Sequence, residues 1–372
     1  MDLTALLGEA LNGLSGFYWG NVLMIAIGVG LIALAVIKEY EPVLLLPIGF
    51  GCILANLGMS ADTGLMKVIY DAGIRTELFP LLIFIGVGAM IDFRPLLAMP
   101  HMVLLGAAGQ FGIYATLLLA VWMGLPLNQA ASIGVIGAID GPTAIFVASK
   151  LAPEMLGPIA VAAYSYMSLI PIIQPPIMRL MTTRAERRIR MDYAPRPVSP
   201  QAVIVFPILV TVVVSLLAPE AAPLIATLML GNLLKESGVV ERLSKAAQNE
   251  IINIATLFLG LAIGATMTAH SFLNPQTAQV LALGLLAFIL DTVAGLLFGK
   301  LMAFVTGGKI NPLIGACGIS AFPMAGRLSA QMAQEEDFDN FILMHAMGSN
   351  TAGQLGSVIA GGLLLALVTQ LL

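Results

Sequence analysis

Apolar residues in this chain fall in long blocks rather than in the three-and-four spacing of a surface helix, and polar residues gather between the blocks. The runs 102–139, 155–178, 197–219, 271–290 and 346–372 contain no charged residue. About 20 such residues cross the hydrocarbon of a bilayer. The pattern predicts apolar segments near 17–37, 42–58, 79–93, 101–123, 128–149 and 157–178, then 198–218, 221–234, 251–269, 277–304, 311–331 and 341–370. The first reads as a span beginning at Leu14, behind a start that is mixed-polar and not basic, so no cleavable signal peptide is expected. The expected fold class is an all-α polytopic membrane protein with about 10–12 membrane segments.

Composition agrees and adds one feature. The chain is 59% hydrophobic and only 10% charged, against roughly 25% charged in soluble domains, which excludes a soluble globular protein. Glycine (38) and proline (21) are plentiful, and inside membranes they are tolerated where helices break around a cavity. Broken or re-entrant helices are therefore expected. The net charge of −4 leaves no basic footprint for nucleic acid. Cys52 and Cys317 stand alone, so there is no disulfide framework, and His101, His270 and His345 share no ligand spacing, so a transition-metal site is not expected.

The chain divides at 179–197. Arg179, Arg184, Arg187, Arg188, Arg190 and Arg196 face only Glu186 and Asp192 there, followed by Pro195, Pro197 and Pro200, and the positive-inside rule makes this basic loop cytoplasmic. On either side lie two similar halves, 1–178 and 198–372. Gly134, Gly137, Pro142 and Ala144 match Gly315, Gly318, Pro323 and Ala325, each pair 181 positions apart. The same spacing joins Pro42 to Pro223 and Gln110 to Asp291, while Gly88 and Gly264 stand 176 apart. Two structural repeats are expected, in the inverted arrangement of transporters. Inversion requires an odd number of crossings per half, and six apolar segments is even. One segment per half must be re-entrant, with 79–93, 128–149 and 311–331 as candidates.

Candidate chemistry sits at the breaks. Asp140, in GAIDGPTA, is a carboxylate deep in an apolar segment beside a helix-breaking proline, which marks a functional position by default. A carboxylate with freed backbone carbonyls suits a hard cation such as Na⁺; the structural alternative is a carboxylate that merely holds a helix. The matching stretch NPLIGACGISAFPMAGR offers Asn311, Ser320 and Arg327, so two opposed broken helices could form a cation cage. Arg327 could clamp a carboxylate substrate or snorkel to the interface. Tyr164 and Tyr166 are phenolic proton donors or interfacial anchors, and Ser349, Asn350 and Ser357 lie among small residues in the last span, with Asn350 the best ligand. Asp291, the other deep acid, offers a second cation site or a conformational hydrogen bond. No nucleotide, hydrolase or HExxH motif occurs, and the glycines of GVGLI and GFGCIL read as helix-packing positions.

Four stretches, GAIDGPTAIFVASKLAP, YSYMSLIPIIQPPIMRLMTT, NPLIGACGISAFPMAGR and MHAMGSNTAG, together with KEYEPVLLLPIGFG, resemble the β subunit of the sodium-translocating, biotin-dependent carboxylic acid decarboxylases over nearly the whole chain. That family includes the oxaloacetate, methylmalonyl-CoA and glutaconyl-CoA enzymes. The resemblance implies a multi-pass subunit of the prokaryotic inner membrane that decarboxylates carboxybiotin and exports Na⁺ while consuming a proton. It also implies partners: a carboxyltransferase α subunit, a biotin carrier protein or domain that bears the biotin separately from this chain, a small γ- or δ-type membrane subunit, and a homo-oligomeric assembly. By motif, the family's functional residues fall on Asp140, Tyr166, Asn311, Gly315, Ser320, Arg327 and Asn350. Ser349 stands where many relatives would have proline, and Gly326 where they would have alanine. The resemblance thus assigns Na⁺ to Asp140, Asn311, Ser320, Asn350 and Gly315, the carboxybiotin carboxylate to Arg327 and the proton to Tyr166. The rival reading is a self-sufficient Na⁺/carboxylate or Na⁺/H⁺ transporter built on the same broken helices.

Overall fold

The computed structural model describes residues 17–39, 41–191 and 197–372. Leu14, Asp192, Pro195 and Arg196, named above, lie outside them. Among the described residues the regular structure is all helical, as a bilayer demands, since a helix satisfies its backbone within one segment. Among the described residues, seven helices are long and apolar enough to cross a membrane, and a further pair, Gly64–Arg75 and Leu78–Met90, reaches that length and apolarity together but is bent by 57° at its break. Outward-facing leucines, valines and phenylalanines such as Leu180, Leu216 and Phe304 are exposed, which is the surface that lipid covers.

The first half runs α1 (Trp19–Ile37), α2 (Pro42–Ala55), α3 (Gly64–Tyr70) with a π turn (Asp71–Arg75), α4 (Leu78–Met90), α5 (Met102–Ala108), α6 (Phe111–Trp122), α7 (Leu127–Gly134) with a 3₁₀ turn (Val135–Ala138), α8 (Gly141–Leu151) and α9 (Leu156–Met181). After the basic loop come α10 (Pro200–Leu217), α11 (Ala222–Glu236), α12 (Glu241–Ala246) with a π turn (Ala247–Ile251), α13 (Ile252–Thr266), α14 (Pro275–Val305), a 3₁₀ turn (Pro312–Cys317), α15 (Met324–Glu336) and α16 (Leu343–Leu371). The element order of the first half recurs in the second. Even the two π turns recur, 176 residues apart, the offset that separates Gly88 from Gly264.

Two segments turn back within the bundle. The ends of 127–151 lie together, because the Asn128 amide donates to the Leu151 carbonyl (2.9 Å) and Gln129 donates to Glu154 (3.1 Å). The ends of 311–340 lie together too: the Asn311 and Asn340 amides donate to the same two carbonyls, those of Arg187 and Ile189, at 2.9 to 3.2 Å. One pair of ends sits where α9 begins and the other just beyond where it finishes. A helix of 26 residues is about 39 Å long at 1.5 Å per residue, so the hairpins enter from opposite faces. Their tips meet midway, where the Ser320 amide donates to the Ala138 carbonyl at 3.3 Å. Of the three candidates for re-entrance, 128–149 and 311–331 are hairpins with their ends held together, whereas 79–93 contains α4, whose two ends meet different partners, Glu77 pairing with Lys150 and the Met90 carbonyl accepting from Lys235.

Close glycine contacts hold a row of helices in the order α10, α11, α4, α13, α2, α1. A Cβ at Gly88 would stand 1.8 Å from the Leu228 carbonyl oxygen, at Gly231 2.0 Å from that of Ile85, and at Gly264 2.2 Å from that of Ile48. Only glycine permits backbones so near. Against this row packs a second body made of α5, α6, α9, α14, α16 and both hairpins. Between the two bodies lies a cavity.

Candidate functional site

The first hairpin turns through Ile139, whose φ of 52° is left-handed, and delivers Asp140 as the N-cap of α8, with Pro142 in the first turn where its missing N–H costs nothing. Asp140 is 5% exposed. Its carboxylate accepts from the Thr143 hydroxyl (2.9 Å) and, across the bundle on α16, from the Gln354 amide (3.0 Å) and the Ser357 hydroxyl (2.9 Å). No lysine or arginine pairs with it among the described residues. A buried charge held only by neutral donors and a helix N-terminus retains room for a cation.

The cavity beside Asp140 has a volume of about 330 Å³. Its floor is Asp140, Ser320 of the second hairpin and Gln354; Tyr164 and Thr256 line its walls, and Glu41 and Met90 also border it. Met90 belongs to the end of α4 that Lys235 grips through the Met90 and Ile91 carbonyls, beside the Arg94–Glu236 ion pair. That is the face of the basic loop, so the cavity opens on the loop side. At its mouth, outside the spans, burial pushes the Glu41 carboxyl above its usual range.

Sequence comparison gives this site a family. A family model described as the Na⁺-transporting oxaloacetate decarboxylase β subunit matches residues 20–368. The glutaconyl-CoA decarboxylase β subunit of Acidaminococcus fermentans and the methylmalonyl-CoA decarboxylase β subunit of Veillonella parvula are each 52% identical, covering 96% of this chain and 96% of theirs. The oxaloacetate decarboxylase β chain of Klebsiella pneumoniae is 45% identical over 93% of this chain and 94% of its own. The chain belongs to this family of decarboxylase β subunits.

Against that family's motifs, the structure brings some expected residues together and holds others apart. Asp140 and Ser320 share the cavity, and the Ser320 hydroxyl donates to the Gly353 carbonyl at 3.4 Å. Asn350 lies beside the second tip: its amide donates to the Ile319 carbonyl (2.7 Å) while its buried Oδ1 has no partner, as is also true of the Ser349 hydroxyl. Asn311 stands at the base of the second hairpin, not its tip, tied to the basic loop. Gly315 sits against α14, where a Cβ would lie 2.1 Å from the Gly295 carbonyl oxygen.

The two phenols also part company. Tyr164 packs its ring on Gly141 and lines the cavity with a buried, unpartnered hydroxyl. Tyr166 faces α14, donating to the Leu281 carbonyl at 2.5 Å. Arg327 is exposed and makes no ion pair among the described residues. It lies four residues beyond Pro323, about 6 Å along α15 toward the loop face. Asp291 lies outside the cavity, accepting from the Gly112 amide, with its second oxygen unpartnered beside Gly137. Gln110, its counterpart at the 181 spacing, grips the second tip through the Gly318 carbonyl (3.0 Å).

Thr143 and Gln354 are the site residues that the sequence reading passed over. Asn350, Gln354 and Ser357 fall at i, i+4 and i+7, a polar stripe on one face of an apolar helix, and that spacing was the available signal.

Proposed function

We propose that the chain decarboxylates carboxybiotin brought by a separate carrier and couples this reaction to Na⁺ export with uptake of a proton. The observation that carries the reading is Asp140 at a buried hairpin tip, ringed by neutral donors and open to a cavity on the basic-loop face. Na⁺ would bind Asp140 with Ser320 and neighbouring carbonyls. Carboxybiotin would enter from the cytoplasm, where the exposed Arg327 could take its carboxylate. Loss of CO₂ from an N-carboxy urea leaves a nitrogen anion that needs a proton, and Tyr164 is the phenol that lines the cavity; Tyr166, indicated by family motif, would act after α14 moves past α9. The parallel element order and opposed hairpins support two inverted repeats, 1–178 and 198–372, joined by a cytoplasmic loop in a prokaryotic inner membrane.

Export then requires that the helix row and the hairpin body shift so that Asp140 faces the opposite side, with different Na⁺ affinity in the two states. Relatives named for three different acids match along the same length, which supports assigning the choice of acid to the carboxyltransferase partner. Adding carboxybiotin to the purified chain in proteoliposomes tests the whole reading. Na⁺-stimulated CO₂ release that also moves Na⁺ is expected. Na⁺ exchange by folded protein without decarboxylation would instead establish a self-sufficient secondary transporter.

A further inference from the structure

Apart from Asp140, Glu41 is the only charged residue among those lining the cavity, and no lysine or arginine lines it among the described residues. An acid at the head of a helix usually serves as a cap, but Glu41 makes no capping hydrogen bond with its side chain. It forms no ion pair among the described residues either. Its backbone is held at φ 36°, ψ 58°, a left-handed conformation that a side-chain-bearing residue adopts only when its surroundings enforce it. At the 181 spacing the matching position is Ala222, the first residue of α11, so the acid is not needed to begin this kind of helix. Deeper in the same cavity Tyr164 is 1% exposed and its hydroxyl is unpartnered, which points to a ligand occupying the space.

The geometry points to Glu41 as a cation-entry carboxylate, which draws Na⁺ into the cavity mouth and passes it inward to Asp140 before the anionic carboxybiotin arrives. This inference rests on the function proposed above and adds a residue and an order of events to it. Two carboxylates within apolar walls focus a negative potential, which concentrates cations. The same potential repels an N-carboxylate group until a cation has neutralised part of it. Glu41 therefore acts on the loading of Na⁺, while Asp140 acts on both its binding and the chemistry that follows.

The test uses the assembled decarboxylase in proteoliposomes, with Na⁺ itself as the probe and choline chloride as inert salt. Glu41→Gln should raise the half-saturating Na⁺ concentration about tenfold, while the rate at saturating Na⁺ falls by less than about twofold. Added choline chloride should weaken Na⁺ activation of the native enzyme by screening and affect Glu41→Gln less; Glu41→Asp, which keeps the charge, should stay nearer to native. An unchanged half-saturating Na⁺ concentration in turning-over Glu41→Gln would overturn the assignment, as would an equal loss in Glu41→Asp and Glu41→Gln. Failure of the underlying function would look different: native enzyme indifferent to Na⁺, or Asp140→Asn fully active.

Discussion

The two hairpins make the most instructive pair in the molecule. Both are re-entrant, both turn at a Gly/Pro-interrupted tip, and their matching positions stand 181 residues apart. Yet the first carries its charge at the tip and joins its ends by single side-chain hydrogen bonds, whereas the second has no acid at its tip and is fastened at its base. Asn311 and Asn340 hold the loop carbonyls, and Arg179, Arg187 and Arg190 pair with Glu335, Glu336 and Asp337. The two hairpins thus differ in what they hold: the first sets a carboxylate among neutral donors on α16, and the second is tied to the basic loop.

The sharpest way to break that division is at the tips. Asp140→Asn should lower Na⁺-dependent decarboxylation by roughly a hundredfold or more, the scale expected when one member of a buried charge pair is lost; full activity would remove Asp140 from the site. A transplant sharpens the point. Ala321 stands 181 residues from Asp140, so Asp140→Ala combined with Ala321→Asp moves the carboxylate to the other tip. Thr143, Gln354 and Ser357 converge on position 140 alone, so the double variant should bind no Na⁺. Recovered Na⁺-dependent turnover would mean that the tips are chemically interchangeable.

Much of this arrangement can be read from the sequence, and what cannot has a geometric cause. Asp140 was legible because a lone acid in an apolar run has few structural reasons to be there. The hairpins were legible as candidates through their glycines and prolines, but choosing them over 79–93 required knowing which ends meet, a property of tertiary contacts. Tyr164 and Tyr166 illustrate the limit. Two positions apart on a helix, they point about 200° from each other, so only one can face a given cavity, and residue type does not say which. Asn311 reads as a ligand because its motif runs on into the tip, whereas its position before the 3₁₀ turn leaves it at the base. Glu41 was passed over because an acid at the head of a span looks like an ordinary interfacial charge.

The base of the second hairpin offers a milder test. Removing either Asn311 or Asn340 leaves both loop carbonyls with the other amide, so Asn340→Ala should cost about 1 kcal/mol and Asn311→Ala more, because its Oδ1 also caps the Leu313 amide. The double variant strands the buried Arg187 carbonyl and the half-buried Ile189 carbonyl and should lose more than the sum, by a coupling of about 0.5–3 kcal/mol. Thermal unfolding of detergent-solubilised protein, with amide exchange across 182–191, reads both quantities. Strict additivity would show that the two amides do not share their acceptors.

The smallest effect belongs to the ion pairs of the same base. The Arg187 guanidinium holds the Glu336 carboxyl below the usual carboxylate range, and Arg190 does the same for Asp337. A carboxyl whose pKa is depressed on folding contributes stability above its unfolded value, about 4.3 for Glu and 3.9 for Asp, and loses it as pH falls through the lower folded value. The clasp should therefore be indifferent to pH between about 5 and 8 and loosen only below about pH 4. Spin labels at Arg184→Cys and Gln331→Cys, both exposed positions, would report the change as a broadened distance distribution on acidification. Raised salt should produce a weaker version of the same broadening, because the Arg179 and Arg190 guanidinium groups are exposed and screened while the buried Arg187 is screened less. Labels across the first hairpin's base, where the Asn128 amide meets the Leu151 carbonyl and a single carboxylate, Glu154, accepts from a neutral amide, should respond far less. Equal loosening at both bases would mean that the acid acts on the whole bundle rather than on the clasp.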